Sequence, residues 1–263
     1  MMTEAAWRLS IFLLVFIAMA VWQTVKPARQ APLPRWRHWR GNLLLLLTAA
    51  ATVRLIMPAG LAGVAIVADE RQWGLFNQLD LFPSVTLILS CLILDFAIYW
   101  QHRWMHKFPL LWKLHKVHHA DSQVDVSTGL RFHPIEIVLS LFYKAVWVLV
   151  FGMPVLAVLL FEIALNAFAI FNHANVRLTN KWEKYARFLV ITQRLHRIHH
   201  SQKKSEMNSN FGFSLVWWDR LFSSYSAQAS ENDRQIKLGL RQSFDANKNA
   251  DLFNMLKMPF AKK

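Results

Sequence analysis

Histidine is the residue type in this chain whose spacing points most directly to chemistry. An HxxxH pair is followed closely by an HxxHH triplet, and a second HxxHH triplet lies farther along the chain. On a helix, positions i, i+3 and i+4 share one face, so each box can direct its imidazoles at one point. The eight histidines of these three boxes are His102, His106, His115, His118, His119, His196, His199 and His200.

Converging imidazoles predict metal binding. Neutral imidazole is a good ligand for iron, zinc, copper and nickel, and one such ion accepts roughly four to six donors. His133 and His173, in polar stretches between the boxes, bring the candidate ligands to ten. Ten donors exceed what one ion can hold, so the pattern favours two metal ions. His38, which lies among tryptophans and arginines, is predicted instead to be an interfacial residue.

Carboxylates are expected beside such a centre. Neutral nitrogen ligands leave the charge of the ions uncompensated, and acids that accept the outward ring N–H of a histidine offset it. Asp95 is a candidate because an acid inside an apolar stretch is costly unless it has a partner. The leading candidates are Asp95, Asp121 and Asp219, and the wider set adds Asp125, Glu136 and Glu206.

The composition indicates a membrane protein. Of the 263 residues, 54% are hydrophobic, yet the formal net charge is +14. This combination is typical of membrane proteins whose basic loops face anionic lipid. The excess charge lies in loops beside apolar stretches, so no nucleic-acid partner is expected. A single cysteine, Cys91, excludes an intramolecular disulfide and argues against a thiolate metal centre.

Apolar stretches divide the chain into membrane segments. They cover residues 9–25, 42–68, 85–100 and 137–171, and the last is broken at residues 152–154. That break leaves two pieces, for which a re-entrant hairpin and two short crossings both fit. The basic stretch 26–40 predicts, by the positive-inside rule, that the histidine boxes face the cytoplasm. Pro109 is expected to end one helix near Lys107 and to permit a new helix behind it.

The predicted fold class is all-α: a polytopic membrane helical bundle with a cytoplasmic helical cap that carries a histidine-rich di-metal site. Three regions are expected: membrane segments over 1–93, a catalytic domain over 94–225 and a basic cytoplasmic tail over 226–263. The first apolar run lacks a small-residue cleavage site and is predicted to stay as an anchor. The end of the chain, MPFAKK, carries no retrieval or lipidation signal.

The boxes and the residues around them resemble the fatty acid hydroxylase superfamily, also called the sterol desaturase family, of integral-membrane di-iron oxygenases. The resemblance covers residues 94–225 and includes, in order, DFAIYWQHRWMH, HKVHHAD, GLRFHPIE, FNHAN, LHRIHHS, NSNFGF and WWDRLF. It implies that all ten candidate histidines bind metal, with Asp95 and Asp219 nearby. One departure is Ser223 and Ser224, where many members have Gly-Thr, and it lies outside the implied ligand set.

The resemblance implies an enzyme that uses two ferrous ions and O2 to hydroxylate an unactivated C–H bond of a membrane lipid. Desaturation is the nearest alternative, because both outcomes share the first hydrogen abstraction. A separate electron-donor protein is expected, since the chain carries no haem-binding or flavin-binding domain. Zinc can replace iron in isolated protein, because nitrogen ligands do not strongly exclude it.

A non-catalytic membrane protein that binds or transports metal is the alternative from a different class. Transport requires ligands or acids along the path through the bilayer, whereas the boxes are predicted to gather at one face. The identity of the lipid and the oligomeric state stay open at this point.

Overall fold

The computed structural model describes residues 4–31, 33–241 and 245–261. Its helices are α1 (Glu4–Val25), α2 (Arg35–Ile56), α3 (Gly60–Glu70), α4 (Pro83–Lys107), α5 (Pro109–His119), α6 (Pro134–Phe151), α7 (Val155–His173), α8 (Asn180–Leu189), α9 (Gln193–His199), α10 (Lys204–Met207), α11 (Trp217–Leu221), α12 (Ala246–Asn249) and α13 (Leu252–Lys257). Short 3-10 turns cover Leu75–Gln78, Thr128–Leu130 and Met258–Phe260. The predictions about the chain ends and the tail fall partly on residues 1–3, 242–244, 262 and 263, which lie outside the described residues.

Five stretches of the described chain are long and apolar enough to cross a membrane. They are Ala6–Val25, Arg35–Gln78, Pro83–Lys107, Pro134–Phe151 and Val155–His173. Apolar side chains on these helices remain exposed, as with Leu14 at 68% and Val146 at 58%. Such a surface suits contact with lipid rather than water. The predicted all-α, polytopic membrane fold is therefore confirmed.

Proline and glycine place the helix breaks where the sequence predicts them. α4 ends at Lys107, Phe108 is extended, and Pro109 is the first residue of α5. Gly152, between α6 and α7, has a φ of +63°. A Cβ there would lie 2.4 Å from the carbonyl oxygen of Trp73, so the turn requires glycine on both counts.

The apolar run over 137–171 forms two separate helices, each of spanning length. α6 has 18 residues and α7 has 19, which corresponds to about 27–29 Å at 1.5 Å per residue. A bilayer core is roughly 30 Å thick. α6 packs against α2, α3 and α4, whereas α7 packs against α1, α3 and α4. These lengths favour two crossings over a shallow re-entrant hairpin.

The helices pack through an apolar core at one end of the bundle, and the chain segments that join them meet at the other. Leu61, Leu94, Val148 and Phe161 belong to a core cluster that joins α3, α4, α6 and α7. At the other end of these helices, the N–H of Ala28, after α1, donates to the Asn175 carbonyl, after α7, at 2.9 Å. The ends of α1 and α7, the end of α4 and the starts of α2 and α6 therefore meet on one side of the bundle.

Candidate metal centre

Nine of the ten candidate histidines converge at this end of the bundle, in two groups. Within each group, one possible ligand atom per residue lies within 4.8 Å of every other. The five-histidine group consists of His102, His106, His115, His119 and His199, and the four-histidine group consists of His118, His173, His196 and His200. α4 supplies two rings, α5 three, α7 one and the α9 segment three. The predicted convergence of the boxes is thus present in the fold.

Both HxxHH boxes are divided between the two groups. In α5, His115 and His119 turn to the five-histidine group, and His118 turns to the four-histidine group. In the α9 segment the division is reversed, because His196 and His200 join His118 while His199 joins His115. Each group therefore receives an i, i+4 pair from one box and a single ring from the other.

Hydrogen bonds fix the ring orientation in the five-histidine group. His102 Nδ1 donates to the Phe211 carbonyl at 2.7 Å, and His199 Nδ1 donates to the Ser209 carbonyl at 2.8 Å. His115 Nδ1 donates to Glu136 Oε1 at 2.7 Å. Since a backbone carbonyl can only accept, the proton of the neutral His102 and His199 rings is on Nδ1, and their Nε2 presents a lone pair. A carboxylate oxygen beside His115 Nδ1 favours the same tautomer.

The lone-pair nitrogens of this group have no partner among the described residues. His102 Nε2, His115 Nε2 and His199 Nε2 are buried without a hydrogen bond, as are both ring nitrogens of His106 and His119. A buried polar atom without a partner is costly. Five such rings within reach of one point match the donor set of a metal ion.

In the four-histidine group the ring nitrogens are spaced as ligands around one metal ion would be. His173 Nε2 lies 3.1 Å from His118 Nε2, 2.9 Å from His196 Nε2 and 3.3 Å from His200 Nε2. His173 Nδ1 donates to the Ala169 carbonyl at 2.6 Å, so its Nε2 carries a lone pair. Nitrogens bound about 2.1 Å from one ion are separated by roughly 3.0–3.4 Å. The spacing fits one ion among the four rings.

Electrostatics keeps these rings in the metal-binding form. Burial, followed by the neighbouring imidazoles, holds the pKa of His119, His196 and His200 well below the ordinary value. A histidine with a lowered pKa is neutral at physiological pH, and only a neutral ring can bind a metal ion. These three rings can therefore bind metal ions without the prior loss of protons.

His133 is the candidate that the structure does not bring to either group. Its Nδ1 accepts from the Ile135 N–H at 3.2 Å, as the N-cap of α6, and its Nε2 faces the Leu256 carbonyl at 3.3 Å. Both ring nitrogens are thus engaged by backbone. The structure does not bring His133 together with the other candidate ligands, and these contacts indicate a role in starting α6 and contacting α13.

His38 was predicted to be interfacial, and this prediction is wrong. The side chain is buried, and its Nε2 lies 2.8 Å from Asp121 Oδ2 and 3.3 Å from Asn42 Nδ2. Burial alone raises the pKa of Asp121, but His38 and Arg131 outweigh it and lower that pKa well below its usual range. The pair joins α2 to the loop that follows the first HxxHH box.

The leading carboxylate candidates do not touch the ligand histidines. Asp95 accepts from Trp218 Nε1 at 2.8 Å, Asp121 pairs with His38, and Asp219 accepts from the N–H groups of Phe211 and Gly212 at 2.8 and 2.7 Å. Asp219 thereby orders the backbone whose Phe211 carbonyl holds His102. Of the wider set, Glu136 bonds a grouped histidine, His115. The carbonyls of Ala169, Ser209 and Phe211 bond three more, His173, His199 and His102.

A cavity of about 290 Å³ adjoins the five-histidine group. His102, His115 and Glu136 form its wall at the metal end, and α2 contributes apolar residues such as Leu46 and Val53. From there it extends between α6 and α7 into the bundle, where Lys144 and Glu162 line it. Among the residues described as lining it, none belongs to the four-histidine group. The cavity suits an apolar chain that approaches one of the two groups.

An integral-membrane helical protein with two histidine groups at one end of its long helices is the class that this geometry defines. The family model "fatty acid hydroxylase" matches residues 87–224, just over half of the chain. The chain belongs to the fatty acid hydroxylase family.

Curated relatives agree with this family. Ornithine lipid hydroxylase of Rhizobium tropici is 26% identical over 226 residues, which cover 83% of this chain and 67% of that protein. Alkylglycerol monooxygenase of Xenopus tropicalis is 26% identical over 202 residues, covering 71% of this chain and 42% of that protein. A probable Delta(7)-sterol 5(6)-desaturase of Neurospora crassa is 31% identical over 169 residues, covering 64% and 45%. The chain thus spans less than half the length of the latter two relatives. No solved structure matches it.

Proposed function

We propose that this protein is a di-iron oxygenase that hydroxylates an unactivated C–H bond of a membrane lipid, with O2 as co-substrate. One observation carries the proposal: two histidine groups lie side by side, and one of them opens to a cavity between membrane helices. The names of the relatives, two lipid oxygenases and a sterol desaturase, support the same reaction class.

The nine grouped histidines would hold two iron ions, one in each group. When bound, these ions supply the activation of O2 and the abstraction of hydrogen. Glu136 and the Phe211 and Ser209 carbonyls accept the Nδ1 protons of His115, His102 and His199, which leaves the Nε2 of these three rings available to an ion. The apolar wall from α2, with Leu46 and Val53, would align a lipid chain and exclude water from the reacting carbon.

The proposal also assigns the histidine groups to the cytoplasmic side of the membrane. The basic segment between α1 and α2 lies at the histidine end of the bundle, and the positive-inside rule assigns such segments to the cytoplasm. The histidine groups would then face the cytoplasm, where a separate electron-donor protein could approach from water while the lipid enters from the bilayer. Nitrogen ligands do not strongly exclude zinc, so isolated protein could carry zinc in place of iron.

Desaturation is the second candidate, favoured by the sterol desaturase relatives. Both reactions begin by removing one hydrogen from a saturated carbon. Return of oxygen gives an alcohol, and removal of a second hydrogen gives an alkene. The mass of the product separates them, because hydroxylation adds one oxygen and desaturation removes two hydrogens.

The test compares lipid extracts from aerated cells that express the wild-type chain, His118→Ala or His133→Ala. We expect an oxygenated lipid with the wild type and with His133→Ala, and none with His118→Ala. His133→Ala is the matched control, because it removes an imidazole that stands outside both groups. Product from His118→Ala at the wild-type level and with full iron content would overturn the proposal, and iron-replete wild type without any new lipid would favour a metal-binding protein.

A further inference from the structure

The far end of the cavity carries charged groups inside the membrane-spanning part of the bundle. Lys144 of α6 and Glu162 of α7 both line the cavity, with Asn166 one turn farther along α7. Lys144 is only 9% exposed. Charged side chains within membrane helices are rare, and they generally pair or line a path used by a ligand.

The pairing of these groups is incomplete. Glu162 Oε2 accepts from Arg8 Nη2 of α1 at 2.8 Å. Glu162 Oε1 lies 4.0 Å from Lys144 Nζ, which is beyond hydrogen-bond distance. Among the described residues, no other side chain forms an ion pair with Lys144. The cavity end thus offers a cationic donor and a carboxylate acceptor that face each other across a gap.

A hydrocarbon would be a poor occupant of this end. It would displace water from Lys144 and Glu162 and return no hydrogen bond, and a buried charge without such a bond is strongly destabilised. A ligand group that both accepts a hydrogen bond from Lys144 and donates one to Glu162 Oε1 would satisfy both. A hydroxyl group has this double capacity, whereas an ether oxygen can only accept.

Helix geometry sets the distance between this end and the histidines. Glu136, which holds His115, precedes Lys144 by eight residues on α6, which is about 12 Å along the axis. The wall between these points is apolar, with Ala49, Val53 and Leu141 among its residues.

We propose that Lys144 and Glu162 select the substrate: a lipid chain with a hydroxyl-type polar group that binds them, so that a carbon roughly 12 Å away reaches the five-histidine group. This inference rests on the proposed oxygenase function. It adds a specificity determinant and a substrate class, an apolar chain with a donor-acceptor group at a fixed distance from the reacting carbon.

The test is a binding competition on iron-loaded protein in lipid nanodiscs. Probes with a chain of about twelve carbons are dodecanol, its methyl ether and dodecane, each competing with radiolabelled dodecanol. We expect wild type to prefer dodecanol over dodecane by at least tenfold. The preference should fall below about threefold in Lys144→Met and return in Lys144→Arg. Lys181→Met, which removes an exposed lysine of α8, should leave it unchanged.

Glu162→Gln provides a second variant that tests the donor requirement separately. Its preference for dodecanol over the methyl ether should fall several-fold, while its preference for dodecanol over dodecane is largely kept. Equal binding of the three probes by wild type overturns the inference, as does an unchanged preference in folded Lys144→Met. Because binding is measured without turnover, iron content and O2 consumption of the same samples report independently on the proposed function.

Discussion

The two histidine groups are built from the same helices and differ in what they face. His102 and His115 of the five-histidine group line the cavity, whereas the four-histidine group is enclosed behind them. His115 is held by a carboxylate, Glu136, and His173 by a backbone carbonyl, that of Ala169. Under the proposed function, this contrast predicts unequal tasks for groups of equal ligand chemistry, with substrate contact at the five-histidine group and support from the four-histidine group.

The largest expected effect comes from removing one ring from each group. His115→Ala and His196→Ala should each lower turnover more than a hundredfold, because losing a ligand exceeds the 10–100-fold cost of losing an outer partner. Only His115→Ala should also alter probe binding in the cavity, since His196 does not line it. Product formation and competition binding measure the two effects. An equal change in cavity binding for both variants would contradict the conclusion that only the five-histidine group adjoins the cavity.

Replacing His38 tests whether the buried His38–Asp121 pair stabilises the fold around the enclosed four-histidine group. Asp121 is close enough to His173 and His200 to act on them electrostatically. His38→Ala leaves this carboxylate buried without its nearest partner, which should lower the free energy of unfolding by about 3–5 kcal/mol. Thermal unfolding of purified protein checks this. Wild-type stability in His38→Ala would show that the pair contributes little, and Lys181→Met serves as a control for surface substitution.

Glu136→Gln should lower the metal affinity of the five-histidine group and leave that of the four-histidine group unchanged. The substitution keeps the shape of the side chain but weakens the acceptor for His115 Nδ1. We expect a 10–100-fold loss of affinity for one of the two ions and no change for the other. Titration with ferrous iron under anaerobic conditions measures both affinities. A uniform loss at both sites, or none, would contradict the assignment of Glu136 to the five-histidine group alone.

The smallest effect is expected at His133. His133→Ala removes the side-chain cap of α6 and should cost about 1 kcal/mol of stability, with iron content and product unchanged. Iron analysis together with thermal unfolding distinguishes this from a ligand role. A drop to one iron ion per chain would return His133 to the ligand set.

Box spacing predicted that the rings of each box converge, because i, i+3 and i+4 positions share a face. The i, i+4 pairs do share a group, whereas the i+3 rings His118 and His199 each turn to the neighbouring group, which spacing did not predict. Single histidines carry no such signal. His133 next to Pro134 begins a helix and is occupied by its backbone, whereas His38 is buried by the packing of α2 on the loop at Asp121. Neither outcome is encoded in local sequence, so one was assigned as a ligand and the other as interfacial.

The fold followed the sequence wherever local rules apply. Pro109 and Gly152 mark the breaks they predict, and the apolar stretches became the long helices. The carbonyls that accept from the histidine Nδ1–H groups could not be predicted from the sequence. Every residue has a carbonyl, and the choice of Phe211, Ser209 and Ala169 depends on tertiary contacts. The meeting of Lys144 with Glu162 likewise depends on how α6 and α7 are aligned across their turn.

The most direct measurement of the central claim is an anomalous difference map at the iron edge, from crystals of protein loaded with iron in the absence of O2. The account predicts two peaks per chain, one inside each histidine group, with nine imidazole ligands between them. A single peak, or a peak bound by His133, would contradict it.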